Sequence, residues 1–218
     1  EQAKRLHGRG GKYKAVAGLD GVPYVCLRLP TGGGKTLLAA HAIAIARDHW
    51  LERDYPAVVW LVPSDMIRRQ TVDALKDARH PYRSTLDDAF EGRVRVFDMA
   101  DFTQVSPQDL RANLCIFVGT IQTLKVDKTD GRKVYAHNEM MEPHFSAVSP
   151  NTRGLERNDD GPMKGDIRFS FANLLYLHNP LVIVDEAHQA VTGLAHEMQR
   201  RLNPSAIVEF TATPKGRS

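Results

Sequence analysis

The sequence predicts an α/β fold, with a mostly parallel central sheet and helices on both faces. Three observations lead to this prediction. Short runs rich in apolar and β-branched residues alternate with segments of helical composition along most of the chain. These runs are apolar at consecutive positions, which is typical of strands buried on both faces. Several short polar stretches directly follow such runs, and in parallel sheets ligands bind where the strands end.

The first half of the chain contains two pairs of a strand followed by a helix. VPYVCLRL (22–29) is predicted as a strand, and the alanine- and leucine-rich segment at 35–50 is predicted as a helix. AVVWLVP (57–63) is the second strand. The next helix, at 64–78, has Ser64 or Asp65 available as its cap and apolar residues at helical spacing.

The second half repeats this alternation with shorter elements. The predicted strands lie at 93–99, 114–120, 181–188 and 206–214, and the predicted helices at 106–113 and 194–202. The helix at 106–113 opens with Ser and Pro, which favours a helix start. The helix at 194–202 is followed by Asn and Pro, which end it.

The region 126–166 does not follow this alternation. It is rich in Gly, Pro, Asn and charged residues of both signs. A loop of this length is either functional or flexible, and we predict a flexible insertion. The whole chain, 1–218, is otherwise predicted to form a single domain, because 218 residues suit one sizeable core.

Composition excludes some classes of protein. The apolar runs are too short to span a membrane, and the first residues lack the apolar core of a signal peptide. The net charge of +3 is compatible with nucleic-acid binding without indicating it. Cys26 and Cys115, the two cysteines, are predicted as buried free thiols, with a disulfide as the alternative, and a cytoplasmic location is expected.

The stretch TGGGKT (31–36) lies between a predicted strand and a predicted helix. Three glycines, Gly32, Gly33 and Gly34, allow the backbone to approach phosphates closely. Lys35 is expected to bind the β- and γ-phosphates of a nucleotide, and the Thr36 hydroxyl to bind Mg²⁺. The strict phosphate-loop pattern requires glycine at 29, where this chain has Leu29, so a plain glycine-rich turn is the alternative.

A second polar stretch, DEAH, ends the predicted strand at 181–188. Adjacent carboxylates at a strand end point in different directions and can do different work. Asp185 is assigned to Mg²⁺, and Glu186 to orienting and deprotonating the attacking water. His188 is expected to link this site to another element. The alternative is a solvated acidic strand end with a capping histidine.

Five segments occur in a fixed order: PTGGGKT, VPS, VGTIQTL, DEAH and TATP. Together they resemble motifs I, Ia, Ib, II and III of superfamily 2 DEAD/DEAH-box helicases and translocases, from Pro30 to Pro214. Within this superfamily the chain looks most like the motor (Res) subunit of type III restriction enzymes. The resemblance implies the first RecA-like domain of a P-loop NTPase that uses ATP and Mg²⁺.

The resemblance also implies roles for further residues. Thr211 and Thr213 match the motif that couples hydrolysis to strand movement, together with His188. Residues expected to contact the nucleic-acid backbone are Pro63, Ser64, Gly119 and Thr120. A helix cap for Ser64 and an ordinary turn at 119–120 are the alternatives.

Two more residues are implied to bind the nucleotide. Thr31 belongs to the phosphate-loop motif. Gln2 is the candidate for the glutamine that contacts adenine in this superfamily. It lies further from the loop than is typical, and it stands at the start of the given sequence.

The partners implied are double-stranded DNA, a modification or specificity subunit, and a second RecA-like domain of the same full-length protein, in a bacterial cytoplasm. The second domain would supply an arginine that stabilises the transferring phosphoryl group, so slow ATP hydrolysis is expected from this domain alone. Two alternatives stay open. One is a DEAH-type RNA helicase, and the other is a nucleotide-dependent switch or assembly module that does not translocate.

Overall fold

A computed structural model describes residues 21–30, 32–124, 133–185 and 201–212. Within these ranges six strands form one sheet, in the order β1-β6-β5-β2-β4-β3, and every neighbouring pair is parallel. The strands are β1 (Tyr24–Arg28), β2 (Ala57–Val62), β3 (Val94–Asp98), β4 (Leu114–Thr120), β5 (Leu181–Asp185) and β6 (Ala206–Thr211). The predicted α/β class with a parallel sheet is confirmed.

The helices are α1 (Lys35–Ala46), α2 (Asp65–Lys76), α3 (Pro81–Phe90), α4 (Pro107–Ala112) and α5 (Phe171–His178) in the described part of the chain. Single turns of other helix types lie at Arg47–Leu51, Met99–Gln104, Ile121–Leu124 and Glu139–His144. None of the described helices is both long and apolar enough to cross a membrane.

Apolar side chains cover both faces of the sheet, as its central strands require. Trp60 of β2 packs on one face with Ile43 of α1 and Leu75 of α2. On the other face, Phe117 of β4 lies in a cluster with Leu174 of α5. All residues of β2 and of β4 are buried, which explains why these strands are apolar at consecutive positions.

Strand β1 lies at the edge of the described sheet, and most of its residues are exposed. Cys26 is exposed there, whereas Cys115 is fully buried in β4. The prediction of two buried thiols is therefore wrong for Cys26. An apolar strand composition does not say whether a strand is central or at an edge.

The described part of the predicted flexible insertion packs against the sheet. Val134, Tyr135, Met141, Phe145 and Leu155 are all buried in the same cluster as the core of the sheet. These side chains contribute to the apolar core, and the flexibility of the insertion stays a prediction. The remainder of the 126–166 segment, 126–132, lies outside the described residues.

Candidate active site

The carboxyl ends of β1, β6 and β5 are neighbours at one edge of the sheet. Arg28, the last residue of β1, is level with Thr211 at the end of β6, and Phe210 is level with Asp185 at the end of β5. The glycine-rich loop follows β1 directly. The strand order thus brings three of the polar stretches noted in the sequence to one edge.

The glycine-rich loop has a backbone that only glycine adopts easily. Gly32 and Gly34 have φ angles of 76° and 73°, in the left-handed region. Gly33 donates its N–H to the carbonyl of Pro30 at 2.9 Å, closing a tight turn. A Cβ atom on Gly33 would lie 2.9 Å from that same carbonyl oxygen, so a side chain there would displace backbone.

Helix α1 begins directly at Lys35 and Thr36, and its first turn is open to an anion. Its N-cap is Gly34, which offers no side-chain hydrogen bond, and no acidic residue lies in the first turn. An uncapped N-terminus leaves backbone N–H groups available at the positive end of the helix dipole. With the preceding glycine turn, this is the geometry that binds phosphate.

Asp185, at this edge, has a carboxyl group whose pKa is shifted by its surroundings. Its Oδ1 atom is buried and accepts no hydrogen bond within the described part of the chain. Burial raises the pKa of this carboxyl above its ordinary value, and the positive charge of Lys35 opposes that rise. Lys35 and Asp185 are therefore close enough to interact, as a shared nucleotide site requires.

These residues fit a magnesium-bound nucleotide. Mg²⁺ prefers oxygen ligands and usually takes one or two from protein, completing its shell with water and phosphate. Asp185 offers an unpartnered carboxylate oxygen, and Thr36 offers a hydroxyl in the first turn of α1. Among the described residues no group of three or more His, Cys, Asp or Glu forms a metal site of its own.

Strand β6 contacts the phosphate loop through its backbone. Leu29 donates its N–H to the carbonyl of Thr211 at 3.0 Å, one residue before Pro30 and the glycines. Thr211 itself is buried. The loop and the end of β6 are thereby joined without any side chain between them.

The residues predicted to contact nucleic acid lie further along the same edge, after β2 and β4. Ser64 is exposed, and its hydroxyl accepts a hydrogen bond from the Ile67 N–H at 3.4 Å as the N-cap of α2. Pro63 precedes it at intermediate exposure. The capping role proposed as the alternative for Ser64 is thus present in the structure.

Gly119 and Thr120 are both buried at the end of β4. A Cβ atom on Gly119 would overlap the Sδ atom of Met99 and lie 3.0 Å from its Cγ. The Thr120 hydroxyl lies 3.0 Å from that of Thr123 and accepts the Thr123 N–H. Both residues have structural partners here.

Five predicted site residues lie outside the described residues: Gln2, Thr31, Glu186, His188 and Thr213. Two residues that contact predicted site residues at this edge, Leu29 and Met99, were not predicted as part of the site. A glycine within an apolar strand often marks a close approach by a neighbour, so Gly119 held a usable signal for Met99. Leu29 acts through its backbone, which leaves no signal in residue type.

The chain is similar to a solved structure and to a known protein family. The helicase domain of Hef from Pyrococcus furiosus is a similar solved structure, with a TM-score of 0.43 and 20% sequence identity. The match covers 92% of this chain and 32% of that one, so the chain spans about a third of its length. No sequence among the curated proteins compared matches the chain.

A family comparison is decisive. The family described as "Type III restriction enzyme, res subunit" matches residues 20–216, which is most of the chain and includes all five motifs. The resemblance seen in the motifs is thereby confirmed, and the chain belongs to the family of type III restriction enzyme res subunits.

Proposed function

We propose that this chain is the ATP-binding and ATP-hydrolysing motor domain of a superfamily 2 enzyme of the type III restriction kind, which translocates on double-stranded DNA. One observation carries the proposal. A buried carboxylate oxygen of Asp185, which accepts no hydrogen bond from the described residues, lies within electrostatic reach of Lys35 at the N-terminus of α1. Retaining an unsatisfied buried charge costs stability, so its presence points to function.

The chain's own groups divide the work as follows. The N–H groups of the glycine turn and of the first turn of α1 bind the phosphates, and Lys35 balances their charge. Thr36 and Asp185 hold Mg²⁺, which neutralises charge on the transferring phosphoryl group. Glu186, next to Asp185 in sequence, is proposed to orient the attacking water and accept its proton.

Coupling to nucleic acid is proposed to start from β6. The hydrogen bond between Leu29 and Thr211 joins the nucleotide loop to the end of this strand. The segment that follows β2, with the half-buried Pro63 and the exposed Ser64, lies two strands along the same edge and supports contact with a phosphate backbone. A second RecA-like domain, and a modification or specificity subunit, complete the proposed enzyme.

Nucleotide binding is tested with a fluorescent ATP analogue and Mg²⁺. Lys35→Ala and Asp185→Asn are each expected to weaken binding at least about tenfold, because each loses a charge-assisted contact. Lys76→Ala and Asp54→Asn change exposed residues away from this edge and are the matched controls. Equal binding by all five proteins, wild type included, would contradict the proposed site.

The nucleic-acid part is tested on a full-length protein that contains this domain. ATP turnover is measured with duplex DNA, with single-stranded RNA and without nucleic acid. Stimulation by duplex DNA supports the proposal, and stimulation by RNA alone supports the DEAH-type RNA helicase instead. A rate indifferent to both indicates a nucleotide switch.

A further inference from the structure

Arg68, in the first turn of α2, bridges two carboxylates at the edge of the sheet where Ser64 lies. Its Nε atom donates to Asp65 at 3.0 Å, and its Nη1 atom forms an ion pair with Asp98, the last residue of β3. The side chains of Arg68 and Asp98 are 12% and 20% exposed, so this pair is largely shielded from water. The nucleotide site uses neither residue.

The ion pair reaches across one strand of the sheet. Strand β4 lies between β2 and β3, so the pair joins the helix that follows β2 to the end of the strand beyond β4. The Oδ1 atom of Asp98 accepts the N–H of Ala100 at 2.9 Å and caps the turn at Met99–Gln104. Met99 in that turn packs directly on Gly119 near the end of β4. Asp98 therefore links the start of α2 to the end of β4.

Apolar packing alone does not fix the start of α2 against the turn after β3. In the first turn of the helix, Ile67 packs on the apolar core, whereas residues 64–66 are exposed. A cavity of about 150 Å³ lies between this first turn and the turn after β3, and Arg68, Met99 and Ala100 are among the residues that line it. Because side chains do not fill this space, the charged contact sets the distance between the two turns.

We propose that Arg68 and Asp98 are positioning residues for nucleic-acid contact, and this inference rests on the proposed function. Their ion pair holds Ser64 and its backbone at a fixed place relative to Gly119 and Thr120, so that both segments can meet one phosphate backbone. Largely buried ion pairs lose about as much hydration energy as they gain from attraction, so stability alone does not account for this pair. Hydrogen bonds to phosphate depend steeply on distance and angle, which makes position matter.

The test measures ATP turnover by a full-length protein that contains this domain while duplex DNA is titrated. Each titration gives the maximal rate and the DNA concentration at half of that rate. Arg68→Gln removes the positive charge of the pair. Asp98→Asn removes the negative charge and keeps an oxygen that can accept the Ala100 N–H. Arg68→Lys keeps the charge and is the conservative variant.

The ion pair between Arg83 and Asp87 of α3 is the matched control. Its side chains are 17% and 28% exposed, and its atoms lie 2.8 Å apart. Arg83 also donates to the carbonyl of Val94 at 3.3 Å, at the first residue of β3 and so at the opposite end of that strand. Arg83→Gln and Asp87→Asn therefore make the same changes of charge away from the proposed contact.

Arg68→Gln and Asp98→Asn are each expected to raise the half-maximal DNA concentration about fivefold, with a maximal rate near that of the wild type. The double variant should be no weaker than either single variant, because one pair is lost only once. Arg68→Lys should lie closer to the wild type, and both control variants should match it. The direction for Asp98→Asn is decisive, since loss of a negative charge by itself strengthens binding to DNA.

Several results would overturn the positioning role. One is an unchanged or lower half-maximal DNA concentration for Asp98→Asn, and if Arg68→Gln weakened binding at the same time, Arg68 would contact DNA itself. Equal weakening by the control variants would attribute the effect to stability. Thermal unfolding shows which variants are folded, and Asp98→Asn decides alone if Arg68→Gln does not fold.

The response of the wild type separates this inference from the proposed function. If duplex DNA stimulates the wild type and the Arg68 and Asp98 variants respond identically, the positioning role is wrong and the motor proposal stands. If duplex DNA does not stimulate the wild type, the motor proposal is wrong, and the positioning role is wrong with it.

Discussion

Gly119 matches a motif that is expected to contact nucleic acid. A substitution there tests whether packing in the folded protein already requires glycine at this position. Its Cα faces Met99, which is 1% exposed, and a Cβ atom would overlap the methionine sulfur. Gly119→Ala must therefore move Met99 within a packed core. The expected effect is a loss of unfolding free energy without any involvement of nucleic acid.

The magnitude follows from the crowding. Adding one methyl group to a well-packed core costs about 1–3 kcal/mol. Met99→Ala removes the sulfur and Cγ that the new methyl group would overlap and leaves only the Cβ, at 3.3 Å, so most of the crowding is relieved. The methyl group then also restricts the unfolded chain, which is worth about 0.4–1 kcal/mol in favour of folding. The coupling energy between the two substitutions should therefore exceed about 1 kcal/mol.

Urea unfolding of the wild type, both single variants and the double variant gives this coupling energy directly. Met99→Ala alone serves as the reference, because it is expected to cost about 2–5 kcal/mol by leaving a cavity. The reasoning is refuted if Gly119→Ala costs as much in the Met99→Ala background as in the wild type. It is also refuted if Gly119→Ala leaves the unfolding free energy unchanged.

Three further predictions follow from the structure. Asp185→Asn should raise the unfolding free energy by about 1 kcal/mol, because it removes a carboxylate charge whose Oδ1 is buried without a hydrogen bond from the described residues, and equal or lower stability in urea unfolding would count against this reasoning. Burial, together with the positive charges of Arg53 and His144, lowers the pKa of His178 from 6.5 to about 4. As the pH falls, His178 is therefore protonated in the unfolded chain before it is protonated in the folded one. Between pH 7 and pH 5 the unfolding free energy of the wild type should therefore fall by up to about 2 kcal/mol more than that of His178→Gln. Equal falls in urea unfolding would exclude this cause. Ser106→Ala should cost about 1 kcal/mol, because Ser106 and Asp109 form a capping box at α4, and thermal unfolding with the exposed Ser146→Ala as control would show it.

The strands were predictable because burial on both faces leaves a simple composition. Every strand in the structure lies inside a run that the sequence marks as apolar, and the predicted bounds differ by a few residues at most. The last residues of the strands predicted at 181–188 and 206–214 lie outside the described residues.

Two helices were missed for different physical reasons. Helix α3 has few apolar residues and is stabilised by its His80 cap, an Arg83–Asp87 ion pair at 2.8 Å and the burial of Phe90. Helix α5 is a short apolar run, FANLLYLH, and periodicity does not separate such a run from a strand. Tertiary packing decides both.

The average composition of the insertion conceals its buried residues. Val134, Met141 and Leu155 lie in stretches rich in polar residues, yet all three are buried in the core cluster. Most side chains between them are at least partly exposed, as in a loop that covers a sheet. Only the three-dimensional path shows that widely spaced apolar residues meet on one face.

The candidate site depends on strand order more than on any single motif. Because β6 lies between β1 and β5, the last described strand separates the phosphate loop from Asp185. Leu29 bonds to the carbonyl of Thr211, about 180 residues later, while Phe210 pairs with Asp185 on the other side. A nucleotide bound between Lys35 and Asp185 would therefore act on β6 from both sides. Motif order along the chain does not convey this arrangement.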